Sequence, residues 1–160
     1  ALFQAGISTM VYGGCLIAST FDSQIESDME AISWNPFNND ANAVLNDPNS
    51  KVSFYRGVPV IRQNTLNTCS FGIIFVQGGI NATDLNHEWG HNVQLMLLGP
   101  VKYGLGIAIP SVINYHSNPT DYYSYPWERS ADWFGGVTRV NHIKNSEYWG
   151  LVYLLLLLAL

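Results

Sequence analysis

Two of the four histidines of this 160-residue chain lie in one short run, His87-Glu88-Trp89-Gly90-His91. On a helix, residues four apart lie on one face, so His87 and His91 can direct an imidazole nitrogen at the same metal ion. Glu88 then lies beside that ion without binding it, where it can take a proton from a bound water. The spacing H-E-x-x-H predicts a hydrolytic zinc centre; the alternative is a solvated helix face that carries these residues by chance.

Two histidines and a water leave a zinc ion one protein ligand short of a tetrahedral site. One family of such enzymes continues as H-x-x-G-x-x-H, with Gly three and His six residues after the second histidine. This chain has Gln94 and Leu97 at those positions, which excludes that pattern. His116 and His142 remain as loose candidates for the third ligand.

A stronger candidate for the third ligand is Glu128, in the run WERSAD that ends at Asp132. These two carboxylates are again four residues apart, so both can face one metal ion from a short helix. Glu128 would complete the coordination, and Asp132 would accept the spare N–H of a ligating histidine and so fix its tautomer. The alternative is a pair of solvated acids beside Arg129.

The chemistry expected of such a centre is hydrolysis of a peptide bond. Zinc lowers the pKa of a bound water toward about 7, Glu88 acts as general base, and a nearby donor stabilises the developing oxyanion. We predict Tyr123 as that donor from four candidates in this part of the chain: His116, Tyr122, Tyr123 and Tyr125. A zinc-dependent amidase acting on cell-wall peptides or another amide is the enzymatic alternative, because the H-E-x-x-H helix does not distinguish the two.

The order H-E-x-x-H followed by E-x-x-x-D resembles the thermolysin-like zinc metallopeptidases, or gluzincins. The resemblance implies that His87, His91 and Glu128 are the zinc ligands. It further implies that Glu88 is the base and that Asp132 orients a histidine, His87. The implied fold is zincin-like α+β, in which a small sheet accompanies the H-E-x-x-H helix and a second helix carries the third ligand.

A longer stretch, from about Val44 to Val140, resembles a domain at the C-terminal end of RHS/YD-repeat proteins. The pieces that carry this resemblance are VSFYRGVPVIRQ, SFGIIFV, HEWGHNVQLMLLGPVKYGLGIAIPS and YYSYPWERSADWFGGVTR. Proteins of that family are large bacterial surface or secreted proteins, many of them polymorphic toxins. The resemblance implies a zinc peptidase effector that is secreted, displayed at the cell surface or delivered into a target cell. Its substrate would be a protein or peptide, and a toxin would have a cognate immunity protein.

The elements that must position these residues are predicted to be α+β. Gly-Pro and Gly-Gly pairs mark helix ends, and alternating or continuous apolar runs mark strands. We expect a helix at 21–33, which begins with a capping box at Ser23–Glu26, and then a loop at 35–50. Three strands are expected, at 52–55, 58–62 and 71–77. After them we expect a helix from Asn81, Thr83 or Asp84 to Leu98, an apolar loop or turn at 104–109, and a helix from about Pro126 to Gly135.

Composition limits the partners of the chain. Apolar residues make up 48% and charged residues 12%, and the net charge is −5. All seven Lys and Arg residues follow residue 50 without forming a basic patch, which excludes nucleic acid, because its binding needs a cationic face. Two cysteines, Cys15 and Cys69, are too few for a disulfide framework.

Both ends of the chain are apolar and uncharged. We therefore divide it into an apolar segment 1–20, a metallopeptidase domain 21–147 and an apolar segment 148–160. The first segment is expected to be a packed helix or a membrane-inserting one, and the last a core helix or a helix whose partner is missing. These ends suggest membrane contact and an alternative of another class, a membrane-interacting module with a non-catalytic metal site.

Overall fold

The computed structural model of the chain describes residues 35–47, 51–63, 68–139 and 147–160. The chain divides into two compact units, of which the first ends at Leu85 and the second runs from Asn86 to Leu160. The architecture is α+β, with a small mixed sheet and several helices. The predicted helix at 21–33 and the apolar segment 1–20 lie outside the described residues.

The first unit is built on a four-stranded mixed sheet of order β1-β2-β4-β3. Its strands are β1 (Val52–Tyr55), β2 (Val58–Gln63), β3 (Cys69–Ser70) and β4 (Ile74–Gln77). β1 and β2 form an antiparallel hairpin, β2 and β4 are parallel, and β3 pairs with β4 antiparallel. The hairpin turn, Arg56-Gly57, has φ values of 47° and 82°, as a two-residue turn that matches the strand twist requires.

The strand predictions for this unit hold in part. The strands at 52–55 and 58–62 are confirmed to within one residue, whereas the strand expected at 71–77 is confined to 74–77. Inward-facing apolar residues of the sheet form the core of this unit together with two helical residues: Val44, Phe54, Val58, Val60, Ile74, Val76 and Leu85.

The loop predicted at 35–50 is confirmed at 35–40, but the prediction was wrong at 41–46, where the chain forms a short helix, α1 (Ala41–Asn46). The side chain of Asp40 caps this helix by accepting hydrogen bonds from the backbone N–H groups of Asn42 and Ala43, at 2.9 and 3.1 Å. Val44 is buried and anchors it. Six residues are too few to display a helical apolar pattern, so the Asn- and Asp-rich composition favoured a loop.

α2 (Ala82–Tyr103) carries the H-E-x-x-H run. Its start is capped reciprocally: the Asp84 N–H donates to Oδ1 of Asn81 at 3.1 Å, and the Asn81 N–H donates to Oδ2 of Asp84 at 3.3 Å. At the predicted Gly-Pro stop, Gly99 has φ 74° and ψ 166° and kinks the helix, and Pro100 begins a further turn.

The chain stays helical after α2, so the loop or turn predicted at 104–109 was also wrong. The following elements are a π-helical turn (Gly104–Ala108), α3 (Ile109–Ser117), a 3-10 helix (Pro119–Ser124), α4 (Pro126–Gly135) and α5 (Glu147–Ala159). Gly106 lies against Leu157 of α5, where a Cβ atom would be 2.8 Å from Cδ1 of that leucine. Gly106 therefore allows the π-helical turn and α5 to pack closely, and it does not end the helical stretch.

The helix predicted from Pro126 to Gly135 is confirmed as α4, and it ends at Gly136, which has the left-handed φ of 70°. The second unit has an apolar core between the end of α2, the π-helical turn and α5. Its buried members are Leu95, Leu98, Tyr103, Ile107 and Leu154.

Candidate metal centre

The two histidines of the H-E-x-x-H run point at one carboxylate. Nε2 of His87 lies 3.0 Å and Nε2 of His91 lies 3.1 Å from Oε2 of Glu128. α2 presents the histidines on one face, and α4 brings Glu128 to that face. All three side chains are buried and their ligand atoms lie within 4.8 Å of one another, so the cluster can bind a metal ion.

Each imidazole is also held through its other nitrogen. Nδ1 of His87 lies 2.7 Å from Oδ1 of Asp132, and Nδ1 of His91 lies 2.7 Å from Oε1 of Gln94. An ionised carboxylate can only accept, so Nδ1 of His87 donates its proton to Asp132. Partners of this kind fix the orientation and the tautomer of a metal-binding imidazole.

The orientation of the Gln94 amide follows from its surroundings. Its Nε2 donates to the carbonyl oxygen of Trp127 at 2.7 Å and to the hydroxyl of Ser130 at 2.6 Å. A carbonyl oxygen cannot donate, so the NH2 group must lie on that side, and Oε1 accepts the proton of Nδ1 of His91. The fully buried Gln94 therefore orients the ring of His91 by accepting its Nδ1 proton, as Asp132 orients the ring of His87.

This hydrogen bonding leaves a place for a cation. A neutral imidazole carries one proton, and here Nδ1 uses it, which leaves a lone pair on each Nε2. Those lone pairs and the Glu128 carboxylate repel one another unless a proton or a metal ion lies between them. Two imidazole nitrogens and a carboxylate oxygen are a common ligand set for a divalent transition metal, so the residues present fit such an ion.

Electrostatics of the cluster favour positive charge at its centre. Burial acts to lower the pKa of His87, but the hydrogen bonds to Asp132 and Glu128 and the charge of Glu88 outweigh it and raise that pKa to about 10. Burial acts to raise the pKa of Glu128, yet the two histidines hold it far below its usual range. The cluster therefore favours a positive charge between the imidazoles and the carboxylate.

Two glycines allow α2 and α4 to approach closely enough for these contacts. A Cβ atom at Gly90 would lie 1.9 Å from the carbonyl oxygen of Ala131, and one at Gly135 would lie 2.3 Å from that of Asn86. Such distances are far inside van der Waals contact, so a side chain at either position would force the helices apart. Gly90 of the H-E-x-x-H run thus determines whether Glu128 reaches the histidines.

α4 buries its charged residues and exposes an aromatic one. Glu128, Arg129 and Asp132 are buried, whereas Trp133 is 61% exposed. Buried charges are costly unless they are paired. Asp132 is paired with His87 and also with Arg139, whose Nε donates to Oδ2 of Asp132 at 2.9 Å. A helix that buries charges in this way is typical of a binding or catalytic site.

Glu88 is buried next to the cluster without being one of its three ligands. Its negative charge helps to raise the pKa values of both His87 and Tyr122, which places its carboxylate near these two side chains. Glu88 therefore lies at the edge of the site.

Two adjacent tyrosines contact the site differently. The ring of Tyr123, the predicted oxyanion donor, meets the His87 ring edge-on with 5.3 Å between centroids, and the guanidinium of Arg139 lies 3.4 Å from its centroid. The Tyr122 hydroxyl lies 2.7 Å from Oγ of Ser111, and its pKa is raised by burial first and by the charge of Glu128 second. The Tyr122 hydroxyl is thus coupled to the ligand carboxylate.

The other predicted candidates lie elsewhere. His116 is on α3, where its ring packs edge-on against Tyr115, and it does not belong to the cluster. His142 lies outside the described residues. Sequence reasoning assigned no role to Gln94 or Arg139; the spacing His91-x-x-Gln94 on one helix was the local signal that could have identified the first.

Comparison of this chain with protein-family models, with curated proteins and with solved structures yields no significant match. The functional interpretation therefore rests on the geometry of the cluster and on the sequence patterns described above.

Proposed function

We propose that this chain is a zinc-dependent metallopeptidase with a gluzincin ligand set in a zincin-like fold. The observation that carries the proposal is the convergence of Nε2 of His87 and Nε2 of His91 on one oxygen of Glu128. Two histidines and a glutamate are a ligand set of catalytic zinc sites, in which a fourth position binds water or substrate. A structural zinc site normally has four protein ligands, and the cluster found among the described residues has three.

When bound, zinc would supply Lewis acidity that activates water and polarises the substrate carbonyl. The residues of the chain would position the ligands and transfer the proton. Asp132 and Gln94 hold the two imidazoles in position, and the buried Glu88 takes the proton of the attacking water and returns it to the leaving amine. The coupling of Tyr122 to Glu128 makes its hydroxyl a second candidate, beside that of Tyr123, for the donor to the oxyanion.

The wider biological setting is proposed on the sequence resemblance to the C-terminal domain of RHS/YD-repeat proteins. On that basis the chain is an effector domain of a secreted or surface-displayed bacterial protein, with a protein or peptide substrate and a cognate immunity protein.

The proposal is tested by metal content and hydrolysis together. Elemental mass spectrometry of the folded chain should find about one zinc per chain, and a panel of peptides, unfolded proteins and non-peptide amides should show cleavage that a chelator stops and added zinc restores. Failure to bind zinc even after its addition contradicts the metal centre. Cleavage of the non-peptide amides alone would make the chain an amidase instead.

A further inference from the structure

We propose that the outer faces of α3 and α5 bind the apolar interior of a lipid bilayer and so hold the metal centre at a membrane surface. This inference goes beyond the peptidase proposal and does not depend on it. The residues that form the lipid-binding face are exposed in the second unit: Val101, Leu105, Ile109, Val112 and Ile113 before and along α3, and Leu151, Val152, Leu155, Leu156 and Leu158 along α5.

The first half of the lipid-binding face lies on a helical stretch that is both strongly apolar and largely exposed. Of the described residues, the stretch Ala82–Ser117 is long and apolar enough to cross a membrane by length and composition, and only 22% of its apolar part is buried. The core helix of a soluble protein has similar composition but is mostly buried. From residue 101 to residue 117, Lys102 is the single Lys, Arg, Asp or Glu residue.

The second half of the lipid-binding face is the solvent side of α5. The side of α5 that packs on its own unit consists of Gly150, Tyr153, Leu154 and Leu157, at the spacing i, i+3, i+4, i+7. In a helix on the surface of a soluble protein the remaining positions would be polar. In α5 they are occupied by exposed leucine, valine, tyrosine and tryptophan, with no charged residue after Glu147.

The two halves meet around Lys102 and Gly106, just before α3. The hydroxyl of Tyr153 donates to the carbonyl oxygen of Gly106 at 2.6 Å, and Nζ of Lys102 donates to the carbonyl oxygen of Leu158 at 3.3 Å. These bonds, with the contact of Gly106 and Leu157, place α5 across the helical stretch near Gly106, with the C-terminal end of α5 toward Lys102. The ammonium of Lys102 thus caps the end of α5.

The position of the aromatic residues favours a bilayer over a protein partner. Tyr148 and Trp149 are exposed at the start of α5, and Tyr115 is exposed near the end of α3. Because Lys102 contacts α5 at Leu158, all three rings lie away from Lys102, beyond the point where α5 meets the helical stretch. Tyr and Trp concentrate at the boundary between hydrocarbon and water, where the ring is in lipid and the polar atom reaches the headgroups.

A protein interface would need more polar groups than this face presents. Interfaces between soluble proteins carry about one hydrogen bond per 100–200 Å² and a polar rim. The ten residues of the lipid-binding face are all aliphatic, and the adjacent Lys102 already donates to Leu158. Lipid chains need no hydrogen-bond partner and can cover the exposed aliphatic side chains of both helices.

The test is flotation of the full chain with vesicles of phosphatidylcholine, which has no net charge. We expect the wild type to float with the vesicles equally at low and high salt, because the face is apolar rather than basic. The double variant Leu155→Glu/Leu156→Glu should reduce the floated fraction about tenfold or more, since charged side chains are costly in hydrocarbon. Phe37→Glu and Phe71→Glu are matched controls, because these exposed aromatics lie in the first unit, and they should float like the wild type.

Circular dichroism and thermal unfolding, measured on every variant, show whether the variant is folded. If the α5 double variant does not fold, Val112→Glu/Ile113→Glu on α3 replaces it with the same expected loss. A wild type that does not float overturns the proposal, as does a dimer in solution that the same substitutions dissociate, which would identify a second copy as the occupant. Variants that fold and float like the wild type also overturn the proposal, and they would locate the membrane contact in another segment, such as 1–20. A wild-type chain that floats with the vesicles but hydrolyses no peptide would contradict the peptidase proposal only.

Discussion

Glu128 has the central place in the cluster, because both imidazole Nε2 atoms point at its Oε2. We expect Glu128→Ala to weaken zinc binding by more than the roughly 10–100-fold that changes at supporting residues cause, since it removes one of three ligands. A competition titration with a chromogenic chelator measures this affinity. His116→Ala is the control and should bind zinc normally; the opposite result would make His116 the third ligand.

Glu88 tests catalysis separately from metal binding. Glu88→Gln keeps the size of the side chain and removes its basicity, so zinc content and thermal stability should stay those of the wild type. Turnover of a peptide substrate should fall by about 10²–10⁴-fold, the usual contribution of a general base. A variant that cleaves at the wild-type rate would exclude Glu88 from the mechanism.

Gln94 and Asp132 are expected to act through the histidines they hold. Gln94→Met keeps much of the volume and removes the acceptor for Nδ1 of His91, and Asp132→Asn removes the charge beside His87. Both substitutions should weaken zinc affinity or lower the rate by about 10–100-fold. The absorption spectrum of the cobalt-substituted protein should also change, which loss of packing alone would not produce. An unchanged spectrum and affinity in Gln94→Met would reduce Gln94 to a packing residue.

At the scale of elements, the crossing of α2 and α4 decides whether the site exists. The carbonyl of Ala131 lies where a Cβ atom at Gly90 would be. Gly90→Ala should therefore push the helices apart, destabilise the fold by about 1–3 kcal/mol or more, and weaken zinc binding by removing Glu128 from the histidines.

Chemical denaturation and a zinc titration measure the two effects of Gly90→Ala. Gly104→Ala is the matched control, because a Cβ atom there meets nothing within 4 Å, and it should leave zinc binding unchanged. Equal behaviour of the two variants would show that the helices can separate without cost to the site.

At the scale of the whole molecule, the ligands and the residues that hold them all belong to the second unit. Zinc should stabilise the folded chain by about 2.7 kcal/mol at a free concentration one hundred times the dissociation constant. Hydrogen exchange should locate the added protection in α2 after Asn86 and in α4, and leave the strands β1 to β4 nearly unchanged. Protection of the sheet to the same extent would mean that the two units fold as one.

Local chain properties account for the part of the molecule that was predictable. Residues four apart share a helix face wherever the helix lies, so His87, His91, Glu128 and Asp132 could be singled out from spacing. Hairpin and cap signals are also local, which is why β1, β2 and α4 were predicted nearly to the residue. α1 and the π-helical turn were missed because their apolar pattern is short or interrupted by glycine.

Packing between distant segments accounts for the rest. No local pattern predicts that Gln94 donates a hydrogen bond to the Trp127 carbonyl, or that the backbone of Ala131 lies against Gly90. Nor does a local pattern predict that leucines of α5 are exposed. The side of a helix that is buried depends on which other helix covers it, and that partner is tens of residues away along the chain. The spacing of ligand types could therefore suggest the metal chemistry, whereas the arrangement of the helices had to show what holds the histidines and which apolar face is left uncovered.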